Sequence, residues 1–216
     1  MPLLLDFDGI ILQNPRIEKL ITHKSIKFIM KKNRLSYEQS QKINDDMYPK
    51  LGHTSLLLSN TKSYQTNVVE YNNYVFEEMD YDMLIKPLLT VDDVYHIQRI
   101  LDCRVELGLF TNAPITWVDG VLGCLGFSTE DMFNQSLLFT SDDGDIKPLA
   151  QTYQKVNELM LNRMTTFIDD KQQNLEPAKS FTNWACIHIR SGDKDKLIQS
   201  IKKYGVCRSV EYFDKN

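Results

Sequence analysis

Five short apolar runs punctuate the chain, at 3–7, 105–111, 136–140, 165–169 and 184–189, with VELGLFT, SLLFT, TTFID and WACIHI among them. Each has the length of a strand and little polar alternation, which is the pattern of a strand buried on both faces. Between the last four lie stretches with helical spacing, at 115–125, 148–162 and 175–182, and Pro148 suits a first helical turn. Strand and helix in alternation predict an α/β fold, a parallel sheet with helices on both faces.

The interval from 15 to 88 has a different pattern. Ile17, Leu20, Ile21, Phe28 and Ile29 recur near helical spacing and predict a helix over 16–32. Ser36 with Gln39 three residues on resembles a capping box that starts a second helix, and a third is expected over 64–79. Pro87 closes the block, and Thr90 with Asp93 marks the start of a helix over 91–102 that leads into the second strand. The chain therefore divides into a core of residues 1–14 and 89–216 and a helical insertion of residues 15–88 placed just after the first strand. No repeat, low-complexity tract or Gly/Ser linker interrupts this division.

Composition narrows the classes of partner. At 216 residues the chain is long enough to bury a substantial core. Its net charge is −4, and Lys and Arg are scattered apart from Lys31, Lys32 and Arg34, so no basic face for a nucleic-acid polymer is expected. Cys103, Cys124, Cys186 and Cys207 stand far apart, with no CxxC and no His at metal-ligand spacing, which predicts reduced thiols and a cytoplasmic location. The first apolar run meets aspartate at once, unlike a secretory signal, and no run approaches membrane-spanning length, so no membrane partner is expected. Oligomeric state is not legible.

The informative positions are the polar residues that end the apolar runs. LLLDFDGII delivers Asp6 and Asp8, LGLFTN delivers Thr111 and Asn112, SDDGDIKP leads to Lys147, and TTFIDD delivers Asp169 and Asp170. Singly, each has an ordinary reading: a solvated turn, a helix cap, a surface lysine, a loop with an N-cap. Together they place carboxylates, a hydroxyl and an ammonium outside the carboxyl ends of parallel strands, where ligands bind in doubly wound sheets. Converging carboxylates repel unless a divalent cation neutralises them, and a small all-oxygen set suits Mg²⁺. Cation and ammonium favour a dianionic phosphoryl group. One aspartate can then attack phosphorus to form an acyl phosphate that water hydrolyses. A second carboxylate two residues away can protonate the leaving oxygen and activate that water.

In this order, DFDGI (6–10), FTN (110–112), Lys147 followed by Pro148, and IDD (168–170) resemble the four motifs of the haloacid dehalogenase superfamily of phosphohydrolases. The resemblance covers most of the chain, to about residue 190. It implies a Rossmann-like α/β core with a helical cap inserted after strand one, since the 35 residues between Thr111 and Lys147 leave no room for a cap there. It also implies Asp6 as nucleophile and Asp8 as general acid and base. Thr111 and Lys147 would hold the phosphoryl group, with Asn112 beside them, and Mg²⁺ would sit on Asp6, the Asp8 carbonyl and Asp170, with Asp169 behind the ligands or bound through water. DDMYPKLGHTSLLL (45–58) and FIDDKQQN (167–174) look most like the pyrimidine 5′-nucleotidase branch. Two departures stand out: Ile10 where Thr or Val commonly follows the glycine, and Asn174 where a further acidic residue often supports the metal.

The expected function is a Mg²⁺-dependent phosphomonoesterase acting on a small phosphorylated metabolite, with a nucleoside monophosphate as the first candidate. A dehalogenase of the same superfamily would use the same nucleophile on carbon, without need of Asp8 or of the Asp169–Asp170 pair. A phosphomutase would share every motif, and a catalytically silent binding module would use the fold alone. His53, flanked by Gly52 and Thr54, reads as a substrate contact or as a solvated loop residue. Tyr48 and Tyr64 read as ring platforms for a base or as core, and His188 reads as structural.

Overall fold

The first apolar run forms β1 (Leu3–Leu5), in which every residue is buried. It ends at Leu5, so Asp6 is the first residue past the strand. β1 pairs in parallel with β2 (Leu107–Phe110) on one side and with β4 (Thr165–Asp169) on the other. β3 (Leu138–Phe139) extends the sheet beyond β2, and β5 (Trp184–His188) extends it beyond β4. The computed structural model describes residues 2–57, 64–77, 79–142 and 144–205, and among these the five strands form one all-parallel sheet in the order β3-β2-β1-β4-β5. The architecture is α/β and Rossmann-like, as the alternation predicts.

Successive strand residues point to opposite faces, so each face has its own core. On one face Leu3, Leu5, Leu107 and Leu109 pack with α4 (Val91–Leu101), α5 (Ile115–Leu125) and α9 (Lys194–Tyr204) through Ile97, Trp117, Val121 and Leu197. On the other, Leu4, Phe110 and Phe167 pack with α7 (Ala150–Leu159) and α8 (Gln172–Ala178) through Tyr153, Val156 and Leu175. A short α6 (Thr129–Met132) precedes β3.

Between β1 and β2 the chain runs through α1 (Pro15–Asn33), α2 (Tyr37–Leu51) and α3 (Tyr64–Asn72). Local chemistry sets their starts. Asn14 caps α1, the Ser36–Gln39 capping box opens α2, and the Thr90–Asp93 box opens α4. Asn14 also donates to the Leu88 carbonyl and the Asp93 carboxylate, both at 3.0 Å, so the two ends of the insertion are tied at one point. The apolar side of the insertion, Ile17, Phe28, Tyr71 and Val75, is continuous with the α5 side of the sheet core.

Several elements differ from the sequence pattern. The helix expected over 64–79 stops at Asn72 and widens into a π turn over Asn73–Glu77; this seats Phe76 with its ring centroid 5.2 Å from that of Trp117. The helix expected over 148–162 begins at Ala150. In the loop before it, the Asn112 side chain accepts from the Lys147 backbone N–H at 2.7 Å and donates to the Lys147 carbonyl at 2.9 Å. The helix expected over 175–182 is shifted to Gln172–Ala178, and Phe181 turns back to pack on Trp184. Leu58 of the 45–58 stretch, Cys207 and the Tyr64 side chain lie outside the described residues; Cys103, Cys124 and Cys186 are free thiols. Among the described residues, no helix is long and apolar enough to cross a membrane.

Candidate active site

The strand order places a topological switch between β1 and β4: the chain winds outward from β1 to β3, then returns to β4 at β1's other side. Asp6 and Asp169 are thereby neighbours across the switch. The buried Lys147 ammonium lies between them, 3.1 Å from Asp6 Oδ1 and 2.6 Å from Asp169 Oδ2, and it donates to the Phe110 carbonyl at 2.8 Å. An ammonium has three N–H donors, so these three acceptors use all of them. Burial alone would lower the Lys147 pKa, but Asp169 and Asp6 hold it above its ordinary value.

Asp169 is held from every side. Besides Lys147, the Lys171 backbone N–H donates to its Oδ1 at 2.8 Å, and Asn174 Nδ2 reaches both oxygens at 3.1 and 3.0 Å. Asn174, at the position where the resembled motif often has a further acid, orients Asp169 through these two bonds. The Asn174 backbone carbonyl accepts from the Tyr153 hydroxyl.

Asp6 Oδ1 accepts from the Phe7 N–H at 2.8 Å as well as from Lys147, and among the described residues no hydrogen bond engages its second oxygen. Burial raises the Asp6 carboxyl, with Lys147 opposing and Asp169 and Asp170 adding to the rise. Asp8 is half-buried, and its Oδ1 accepts from Trp117 Nε1 at 3.2 Å. Burial lifts the Asp8 carboxyl to about 6 against that hydrogen bond. The turn between Asp6 and the insertion closes through Gly9 N–H to the Leu12 carbonyl at 2.8 Å. Gly9 has φ +88°, and a Cβ there would stand 2.4 Å from Asp170 Oδ2.

Asp170 is the least satisfied member. Its Oδ1 is buried without a hydrogen-bond partner, and burial raises its pKa. Its backbone carbonyl accepts from His188 Nε2 at 2.8 Å, a structural contact of the kind expected for His188. Ligand oxygens of Asp6, Asp169 and Asp170 all lie within 4.8 Å of one another.

These groups open onto a cavity of about 280 Å³. Asp6, Asp8, Thr111, Asn112 and Asp170 line it from the sheet, and Ser25, Asn44, Tyr48, His53 and Tyr71 from the insertion. Thr111 is buried, and its Oγ1 accepts from the Ala113 N–H at 3.2 Å. Asn112 reaches the cavity, but its amide is occupied by the Lys147 backbone.

His53 is 5 % exposed, which removes the solvated-loop reading. Gly52, with φ +77° and its Cβ position 2.7 Å from Pro148 Cδ, lets the end of α2 turn inward against the Lys147–Pro148 loop. The Ser55 N–H donates to His53 Nδ1 at 3.2 Å, so that nitrogen is the acceptor and the ring is neutral with its proton on Nε2. Burial, then Lys171, push its pKa down to about 3.

Two site residues escaped the sequence reading. Trp117 passes for a core aromatic in ITWVDG, though a buried indole N–H always needs an acceptor, and that need was the available signal. Lys171, in the hydrophilic run DKQQN, passes for a surface lysine. Its Nζ donates to Tyr48 Oη on α2 at 2.7 Å, above a ring 5.2 Å away. Burial disfavours its charge, but Tyr48, Asp170 and Asp6 hold its pKa well above the ordinary value.

No protein-family model matches the chain.

Proposed function

We propose that the chain is a Mg²⁺-dependent phosphomonoesterase of the haloacid dehalogenase type, acting on a small phosphorylated metabolite, with a nucleoside monophosphate as the first candidate. The observation that carries this reading is the convergence of Asp6, Asp169 and Asp170 within 4.8 Å of one another, with Asp6 and Asp170 lining the cavity. Asp6 is the nucleophile: Phe7 and Lys147 hold Oδ1, which leaves the other oxygen to attack phosphorus. Asp8 is the general acid and base. A carboxyl titrating near 6 keeps a usable fraction in each protonation state near neutral pH, and the Trp117 N–H fixes its direction.

The donor set fits a hard divalent cation, because the buried Asp170 Oδ1 is an oxygen left without a protein donor and the Asp6 carboxylate lies beside it. Asp6, Asp170 and the Asp8 carbonyl would hold it. Bound there, Mg²⁺ supplies positive charge that offsets the carboxylates and the phosphoryl group. Asp169, spent on Lys147, Lys171 and Asn174, positions Lys147. In this reading the insertion is a cap, and its Tyr48, His53 and Tyr71 form the far wall of a cavity sized for a small ligand.

The test is inorganic phosphate release from a panel of esters that includes UMP, CMP, AMP, sugar phosphates and a chromogenic aryl phosphate, with Mg²⁺ and with EDTA. Mg²⁺-dependent turnover, silenced by EDTA and restored by the metal, is expected. No turnover of any ester sinks the reading, and activity indifferent to both additions removes the metal.

A further inference from the structure

Lys147 resembles a phosphoryl-holding lysine in sequence, yet it is 0 % exposed, it is absent from the cavity wall, and Phe110, Asp6 and Asp169 take its three donors. A dianion entering beside Asp6, Asp8 and Asp170 meets three carboxylates and requires a cationic donor that the cavity presents. Among the described residues, Lys171 is the Lys or Arg that lines the cavity. One of its three N–H groups goes to Tyr48 Oη, and among the described residues the others have no hydrogen-bond acceptor. The residue is also rigidly based: its own backbone N–H is bound to Asp169, and its ammonium lies over the Tyr48 ring.

From this division of labour we infer that Lys171 is the substrate-binding cation of the cavity, donating directly to a phosphoryl oxygen, while Lys147 is the internal counter-ion that sets Asp6 and Asp169. Tyr48 is a positioning residue. It aims the Lys171 ammonium from the insertion, so affinity for the anion depends on a residue of α2. The inference deepens the phosphomonoesterase reading and rests on it for the identity of the anion.

The experiment uses the full chain with Mg²⁺, titrated calorimetrically with inorganic phosphate, alongside KM and kcat for an aryl phosphate. Removing a charge-assisted donor predicts that Lys171→Met weakens phosphate binding and raises KM by about tenfold, with kcat changed less than about threefold. Lys171→Arg should restore phosphate affinity to within about threefold of the wild type, and Tyr48→Phe should raise KM by about threefold. Should Lys171→Met not fold, Lys171→Gln, which retains a donor for Tyr48, takes its place. Unchanged phosphate affinity in the charge-removing variant overturns the inference, as does a Lys171→Arg variant as weak as that one. The titration needs no turnover, so Lys171-dependent phosphate binding by a protein that hydrolyses no ester upholds Lys171 and sinks the enzyme. Turnover with Lys171-independent phosphate binding does the reverse.

Discussion

Lys147 and Asp169 stand 2.6 Å apart with neither side chain exposed to solvent, though one lies in the loop before α7 and the other ends β4. Their pairing is the frame of the site: the same ammonium reaches Asp6, and the same carboxylate gathers Lys171 and Asn174. A buried ion pair adds little net stability over apolar residues, but removing one partner leaves the other charged and without compensation.

Lys147→Met is therefore expected to cost about 3–5 kcal/mol of folding stability, read by urea denaturation. Combining it with Asp169→Asn should recover part of that loss. A Lys147→Met protein as stable as the wild type would show that the pair is not the frame.

Asp6→Asn keeps the shape of the side chain and the acceptor for the Phe7 N–H, and it removes one charge from a cluster whose burial already disfavours it. Phosphate release should fall by at least about a thousandfold while stability stays within about 1 kcal/mol, measured by turnover and thermal melting of one preparation. Activity near the wild-type level would remove Asp6 as nucleophile.

Gly9→Ala meets two obstacles, a backbone at φ +88° and a Cβ 2.4 Å from Asp170 Oδ2. The backbone alone should cost about 1–2 kcal/mol. Displacement of Asp170 should weaken Mg²⁺ binding in a calorimetric titration, and an unchanged Mg²⁺ affinity would show that Asp170 tolerates the shift.

His96, on α4, is 2 % exposed, and burial, then Lys194, push its pKa from 6.5 down to about 4. The folded ring stays neutral where the unfolded one takes up a proton, so its contribution is present above pH 6.5 and is lost as pH falls toward about 4. The loss should be on the order of 2–3 kcal/mol by linkage, and His96→Leu should flatten the stability profile in that window. An identical acid slope in the variant would assign the loss to other groups.

Sequence by itself determined the local elements and the chemical inventory. Apolar runs mark all five strands, because a strand buried on both faces has no place for polar residues. The Ser36–Gln39 and Thr90–Asp93 boxes mark helix starts, because a cap is satisfied within four residues. Asp6, Thr111 and Asp169 stand out because a polar group that ends such a run lies at the sheet's carboxyl edge, and Lys147 because the loop after the third run leads to it. Helix α9 carries a signal of the same kind, Asp193 as its cap with Leu197, Ile198 and Ile201 at helical spacing, and is absent from the predicted elements.

Only the tertiary structure decided what each polar group faces. The order β3-β2-β1-β4-β5 makes Asp6 and Asp169 neighbours. The Asn112 clamp fixes Lys147 in the loop before α7, from a residue far away in the chain. The turn at Gly52 brings His53 inside, and Lys171 leaves the surface to meet Tyr48 of the insertion. These outcomes depend on pairs far apart in the chain. Periodicity reports which side of an element is buried and carries no record of which distant residue covers it.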